Sequence, residues 1–252
     1  MRLDNYLVKL NIFDSRTKAK QAIERGEIFL NGKVNLKSST EIDENKYYFV
    51  ERVCEDSFVS LGGFKLKKAL VDFSMSVQDK ICVDIGASTG GFTDCLLKNG
   101  AKKVYAVDVN DSLLHPSLKD NERVYPIIKN VKNLTKNDFN DKIDLVVADL
   151  SFISITQAIP IISGLLDDFN EFVALIKPQF EAGEKIRFKN GIIRDKKIQI
   201  SACINTYNCA LSNFLTPVNF TTAPLSKDKN IEFLMKFVKN GGEKMDISKI
   251  KF

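Results

Sequence analysis

The chain has 252 residues, 44% hydrophobic and 27% charged, with 37 Lys and Arg against 32 Asp and Glu, a formal net charge of +5. This length suits one large α/β unit with a smaller partner, and the composition is neither that of a disordered chain nor that of a membrane protein. No apolar run approaches the ~18 residues of a spanning helix, Met1-Arg2-Leu3-Asp4 opens no signal-peptide pattern, and Cys54, Cys82, Cys95, Cys203 and Cys209 are scattered beside a single histidine, so a cytoplasmic protein without disulfides or metal is expected.

Leu3, Tyr6, Leu7 and Leu10 recur at i, i+3, i+4 and i+7, which predicts a short helix with one apolar stripe. Ser15 is the expected N-cap of a second helix to about Arg25, with Ala19, Ala22 and Ile23 inward and Gly26 as its stop. Ile28-Phe29-Leu30 then reads as a strand, Asn31-Gly32 as a hairpin turn towards Val34, and Tyr47 to Val50 as a later strand. Residues 1 to 40 carry eight Lys or Arg against four Asp or Glu, and residues 41 to 56 carry two against six. The first stretch is therefore a candidate RNA-binding surface, formed by Arg2, Arg16, Lys18, Lys20, Arg25 and Lys33, although a solvated helix face has the same charge pattern. The ordered elements Arg-Leu-Asp, Ser-Arg-x-x-Ala, Gly-x-Ile and Phe-Leu-Asn-Gly resemble the RNA-binding domain named after ribosomal small-subunit protein S-four. We place that domain at 1–56 and a second at 57–252, joined by a short linker at about 51–60.

Residues 81 to 92, Ile-Cys-Val-Asp-Ile-Gly-Ala-Ser-Thr-Gly-Gly-Phe, read as a buried strand, a glycine-rich turn and the start of a helix. Gly86, Gly90 and Gly91 allow positive φ and close backbone approach. Asp108 ends the next strand, 24 residues after Asp84, where a carboxylate can accept the hydroxyls of a ribose. Ser88 replaces the glycine that makes room for a pyrophosphate in NAD-binding loops, Asp84 would lie near an ammonium-bearing methionine tail, and Asp149 ends a third strand, 143–148. S-adenosylmethionine fits this set better than NAD. A helix from Ile155 to about Leu166, a strand Phe172 to Ile176 closed by Lys177-Pro178, and strands at 218–222 and 231–238 complete the pattern, with Glu232 inside the last and in need of a cationic partner. Between them, residues 185 to 197 hold Lys185, Arg187, Lys189, Arg194, Lys196 and Lys197, a basic loop suited to phosphates or to solvent alone. The expected fold is Rossmann-like, a seven-stranded, mainly parallel sheet with helices on both faces, behind a small N-terminal α+β domain.

Lys65, Asp149, Lys177 and Glu232, in that order, resemble the Lys-Asp-Lys-Glu tetrad of the FtsJ-like ribose 2′-O-methyltransferases, and the whole chain resembles the haemolysin-A or TlyA family of ribosomal RNA cytidine-2′-O-methyltransferases. That resemblance implies a cofactor site at Gly90, Phe92, Asp108, Asn130, Val131 and Asp149 beside Asp84, Gly86, Ser88 and Gly91, and ribosomal RNA, chiefly of the large subunit, as partner. A ribose hydroxyl needs a positioned base; Lys177 is favoured, Asp149 and Glu232 would orient the lysines, and Lys65 would hold the 2′-oxygen. The sequence leaves open which lysine takes the proton. Asp149-Leu150-Ser151-Phe152 lacks the Pro-Pro-aromatic element of enzymes that methylate exocyclic amines, and no cysteine stands here to attack a cytosine carbon. His115, before Pro116, reads as a surface or cofactor-edge residue. A ribosome-binding factor without catalysis and, much more remotely, a membrane-lytic protein are the competing readings; stable membrane association is not expected.

Overall fold

The computed structural model describes residues 1–24, 27–31, 36–44, 46, 48, 50–52, 58–110, 113–182, 191–224 and 229–250, with backbone alone at 51 and 52. The chain divides into two compact units, Met1–Ser57 with Pro224–Lys227, and Phe58–Ala223 with Asp228–Phe252.

In the first unit, α1 (Leu3–Lys9) and α2 (Arg16–Glu24) precede β1 (Ile28–Leu30) and β2 (Val50–Arg52). Leu3 and Leu7 of α1 meet Ala19, Ala22 and Ile23 of α2 in one core that also holds Phe13, Ile28, Leu30 and Ile42. Ser15 caps α2 as expected, its hydroxyl accepting from the amide of Lys18 at 3.3 Å. The described pairing of β1 is with the later strand. Asn31 does turn, at φ 50, but Ile28 to Leu30 pair antiparallel with Val50 to Arg52, register Leu30 to Val50, some twenty residues on. The expected hairpin arm at Val34 lies outside the described residues.

The second unit runs α3 (Gly62–Asp72), β3 (Ile81–Ile85), α4 (Gly91–Lys98), β4 (Lys103–Asp108), α5 (Pro116–Lys119), β5 (Val124–Ile128), β6 (Leu145–Ala148), α6 (Ile155–Leu165), β7 (Glu171–Ile176), α7 (Pro178–Glu181), α8 (Lys196–Leu211), β8 (Leu215–Thr222) and β9 (Phe233–Lys239). Its seven strands lie in the order β5-β4-β3-β6-β7-β9-β8, and β9 alone runs against the rest. β6, and β7 after Glu171, read as continuous apolar runs because both their faces are covered. Along β7, Phe172, Ala174 and Ile176 pack on one side with Ile155, Ile159 and Ile162 of α6, while Val173 and Leu175 pack on the other with Leu66 and Leu70 of α3. From β3 the chain goes first outward to β4 and β5 and then back to β6, so the switch in strand order falls at the carboxyl ends of β3 and β6, where an open α/β sheet leaves a crevice.

The tail after β9 is ordered by that core: Met245 and Ile250 join it, and Tyr207 of α8 donates its hydroxyl to the carbonyl of Met245 at 3.0 Å. Among the described residues no helix is long and apolar enough to cross a membrane, and no three His, Cys, Asp or Glu side chains could hold a metal ion.

Candidate active site

Four local devices bring the tetrad to one edge. Lys65 sits in the first turn of α3, and that turn is pressed onto the start of α4: a Cβ at Gly91 would stand 2.9 Å from the Gly63 nitrogen and 3.2 Å from the Gly62 Cα, and the amide of Val59 donates to Asp94 at 2.9 Å. Asp149 follows β6, its amide bonded to the carbonyl of Ile85 at 3.0 Å. Lys177 ends β7 in an extended conformation, φ −112 and ψ 99, which the following Pro178 favours. Glu232 lies just outside β9 rather than inside it, because Phe233 already pairs with Ile176 and the Glu232 carbonyl accepts from Ala223 at 2.9 Å. Antiparallel register therefore sends Lys177 and Glu232 out of the same end of the sheet.

There the four side chains form a row of alternating charge. Lys65 Nζ is 2.5 Å from Glu232 Oε2 and 4.0 Å from Asp149 Oδ2, and Lys177 Nζ is 2.5 Å from Asp149 Oδ1. The cation that the Glu232 carboxylate requires is thus Lys65. Lys177, only 8% exposed, also donates to Ser151 Oγ at 2.8 Å and lies 5.8 Å from the centre of the Phe180 ring.

Beside the row, a cleft of about 630 Å³ opens at the switch point, a size usual for small-molecule sites. Of the residues expected at a cofactor, Gly86, Ser88, Asp108, Asn130, Val131 and Asp149 line it. Gly86 has φ +83, and a Cβ there would stand 2.5 Å from the Asp149 carbonyl oxygen. Asp108 braces the loop by accepting from the amides of Ser88 at 2.9 Å and Val109 at 2.7 Å. Asn130 caps its own turn through the amide of Lys132 at 3.0 Å.

Asp84, Gly90, Gly91 and Phe92 are not among the lining residues. Phe92 is buried in the core shared with α3, Gly90 (φ +92) packs on Leu118 and Leu114, and Gly91 needs its bare Cα for close packing on α3, without the positive φ expected of it. His115 is exposed, its Nδ1 2.8 Å from Ser117 Oγ at the start of α5.

Asp84 is fully buried beneath the loop. One carboxyl oxygen accepts from Thr93 Oγ1 at 2.6 Å, and among the described residues the other has no hydrogen-bond partner. Burial, opposed by the Thr93 hydrogen bond and reinforced by the Asp149 charge, pushes this carboxyl up to about 7. A carboxyl raised in the folded state keeps a proton that the unfolded chain gives up, so the stability it contributes is complete at low pH and is lost as pH rises through about 7. In cofactor-free protein, Asp84→Asn should therefore gain several degrees in thermal midpoint over wild type at pH 8 and much less at pH 5. A gain independent of pH in differential scanning would contradict a native proton at Asp84.

Two residues of this region carry signals that the sequence hides. Ser151 is the hydroxyl partner of Lys177, and Phe152 is 93% exposed at φ 67, a backbone region that a bulky side chain rarely adopts. Phe152 lines the cleft, with its ring 5.5 Å from that of Phe180.

Of the expected RNA contacts, Arg2 and Arg16 share the buried carboxylate of Asp4. Arg2 donates to both Asp4 oxygens at 3.1 and 3.0 Å and Arg16 to one at 3.3 Å, and the Arg2 hydrogen bond leads in holding that carboxyl below its ordinary range. Both guanidinium groups stay largely exposed. Asp4→Ala should free both arginines, lower the melting point of the N-terminal unit and weaken RNA binding by that unit; unchanged melting and affinity would refute the shared anchor. Lys18 and Lys20 are exposed on α2, paired with Asp14 and Glu24, and Arg194 is exposed before α8. Arg25, Lys33, Lys185, Arg187 and Lys189 lie outside the described residues.

The model of the FtsJ-like methyltransferases matches residues 58–238. The chain belongs to the FtsJ-like methyltransferase family. Its fold and family are those of enzymes that use S-adenosylmethionine as methyl donor, and the S4 domain model matches residues 1–46 in front of this FtsJ-like domain. Hemolysin A of Brachyspira hyodysenteriae is 44% identical over 242 residues, which cover 94% of this chain and 100% of that protein. The 23S rRNA (cytidine-2′-O)-methyltransferase TlyA of Campylobacter jejuni is 33% identical over 259 residues, 95% of this chain and 100% of that one. A solved structure from Streptococcus thermophilus that carries a hemolysin designation matches with a TM-score of 0.72 at 35% identity, covering 99% of this chain and 94% of the other. This chain's relatives thus include both proteins named for haemolysis and proteins named for RNA methylation.

Proposed function

We propose that this chain transfers the methyl group of S-adenosylmethionine to the 2′-hydroxyl of a cytidine in ribosomal RNA, chiefly of the large subunit, in the cytoplasm. The observation that carries the reading is the row Glu232, Lys65, Asp149, Lys177 standing at the mouth of a cleft that shares Asp149. Gly86, Ser88, Asp108, Asn130, Val131 and the Asp149 backbone would hold the cofactor, with the Asp108 carboxylate available to a ribose, and the cleft's size and its close approach of Gly86 to Asp149 fit such a molecule. Bound there, the sulfonium supplies an electrophilic methyl carbon.

The chain's own residues do the rest. Lys177, whose Nζ lies 2.5 Å from Asp149 Oδ1, would be the group that takes the proton of the 2′-hydroxyl as that oxygen receives the methyl group the donor would supply. Asp149 stabilises the ammonium so formed, and Ser151 holds Lys177 in line through the 2.8 Å hydrogen bond. Lys65, fixed by Glu232, presents its charge to the developing oxyanion and braces Asp149 from the other side. Phe152 offers an exposed ring face for the base whose ribose reacts, and Arg2, Arg16, Lys18, Lys20 and Arg194 are phosphate contacts, whose binding weakens with salt.

The reading is tested by offering labelled methyl donor to purified large subunits, small subunits and free ribosomal RNA. Label in large-subunit RNA is the expected result. Normal cofactor binding with no label in any RNA would favour a ribosome-binding factor without catalysis.

A further inference from the structure

Lys177 to Glu181 and Asp149 to Ile155 are joined residue by residue. Lys177 meets Asp149 and Ser151, Phe180 meets Phe152, and the next residue, Glu181, accepts hydrogen bonds from the Ser154 hydroxyl and, at 2.8 Å, from the amide of Ile155. The last two contacts are at the start of α6, where Ser154 is itself the N-cap and accepts from Thr156 at 3.1 Å. Glu181 therefore closes the far end of the loop that carries Asp149, Ser151 and Phe152. Without it, the described links across this pair of segments are one ion pair, one hydrogen bond and one ring contact, none of them to the backbone of the loop.

Keeping a carboxylate here is expensive. Burial pushes the Glu181 carboxyl above its ordinary value, against the lowering effect of Ser154 and of the Ile155 and Thr156 amides, and α6 already has a capping hydroxyl from Ser154. The backbone it restrains is itself unfavourable: Phe152 is held at φ 67 with its ring almost wholly in solvent. A loop kept in that state needs a restraint on each side. Asp149 is tied to β3 on one side, and Glu181 provides the tie on the other.

We propose that Glu181 is a positioning residue for methyl transfer, which clamps the Leu150–Ser154 loop against α7, just past the end of β7, and so places Ser151 on Lys177 and Phe152 at the mouth of the cleft. The proposal rests on the reading of Lys177 as the base, and Glu181 touches neither substrate nor cofactor.

Two experiments test it. In steady-state methyl transfer, Glu181→Ala should lower kcat by about ten- to a hundredfold, the cost usual for a misplaced catalytic group. Glu181→Gln, whose amide oxygen can still accept from Ile155, should recover most of that loss. Combining Glu181→Ala with Ser151→Ala should cost no more than the worse single change, because both act through the same placement of Lys177; multiplied losses, or an unchanged kcat in Glu181→Ala, would overturn the proposal. The second experiment needs no RNA. The chain has no tryptophan, so Phe152→Trp provides a single tryptophan, excited apart from the tyrosines, on the loop. Adding Glu181→Ala should lower its fluorescence anisotropy, whereas removing the distant cap of α8 with Asp195→Ala should leave it unchanged. If wild type transfers no methyl group to RNA, the reading of the reaction fails, and the tryptophan probe still decides the clamp: equal anisotropy with and without Glu181 refutes it.

Discussion

Lys177→Ala is expected to reduce methyl transfer by about a thousandfold while cofactor affinity stays within a few-fold, since positioned acid–base groups contribute roughly 10²- to 10⁴-fold. The split follows from geometry. Lys177 does not line the cleft, so its removal takes nothing from the cofactor, but it leaves Asp149 Oδ1 without its 2.5 Å partner and Ser151 without its donor. Lys177→Arg separates the charge from the base. A guanidinium keeps the positive charge beside Asp149 but cannot give up its proton near neutral pH, so it should be nearly as inactive as alanine. Kinetics under saturating RNA, with cofactor affinity measured by calorimetry, check both. An arginine variant with a tenth or more of wild-type activity would show that Lys177 acts through charge alone.

The second large effect is expected at Gly86. Alanine there must hold φ near +83, at a cost of about 1–2 kcal/mol, and its Cβ would stand 2.5 Å from the Asp149 carbonyl oxygen, a backbone atom that cannot rotate away. The loop and the end of β6 must part, which disturbs the cleft and the tetrad together. Gly86→Ala should weaken cofactor binding by about ten- to a hundredfold, or ~1.4–2.7 kcal/mol, and lower the thermal midpoint by several degrees. Gly164 provides the contrast. It lies in α6 with nothing within 4 Å of an added Cβ, so Gly164→Ala should leave binding unchanged and stabilise the helix by up to about 1 kcal/mol. Calorimetric affinity and melting of the two variants side by side test the argument, which fails if both behave alike.

The central sheet and the tetrad were legible because both are written locally. Leu145–Ala148, and Glu171–Ile176 after its first residue, are unbroken apolar runs bounded by charge because both their faces are buried; an Asp or Lys at the end of such a run has few places to be other than the sheet's edge. Glu232 shows the limit of that logic. Its apolar neighbours extend the strand pattern across it, and only the register of Phe233 against Ile176 reveals that it stands beyond the strand end. The same holds for Gly91, whose role comes from Gly62 and Gly63 across a helix contact, and for the register of β1, whose Leu30 lies opposite Val50 some twenty residues on. Phe152 was hidden for another reason. Nothing in Leu150-Ser151-Phe152 says that an aromatic residue will be turned outward at positive φ, since its restraints come from Glu181 and Phe180, about thirty residues later. Pairings distant in sequence are decided by packing, and a single sequence does not print them.

The account is tested most directly by the chemical identity of the product. Ribosomal RNA treated with the purified protein and methyl donor, then digested to nucleosides and resolved by mass spectrometry, should contain 2′-O-methylcytidine that is absent when Lys177→Ala replaces wild type. A methyl group found on a base, or 2′-O-methylcytidine formed equally by the variant, would contradict it.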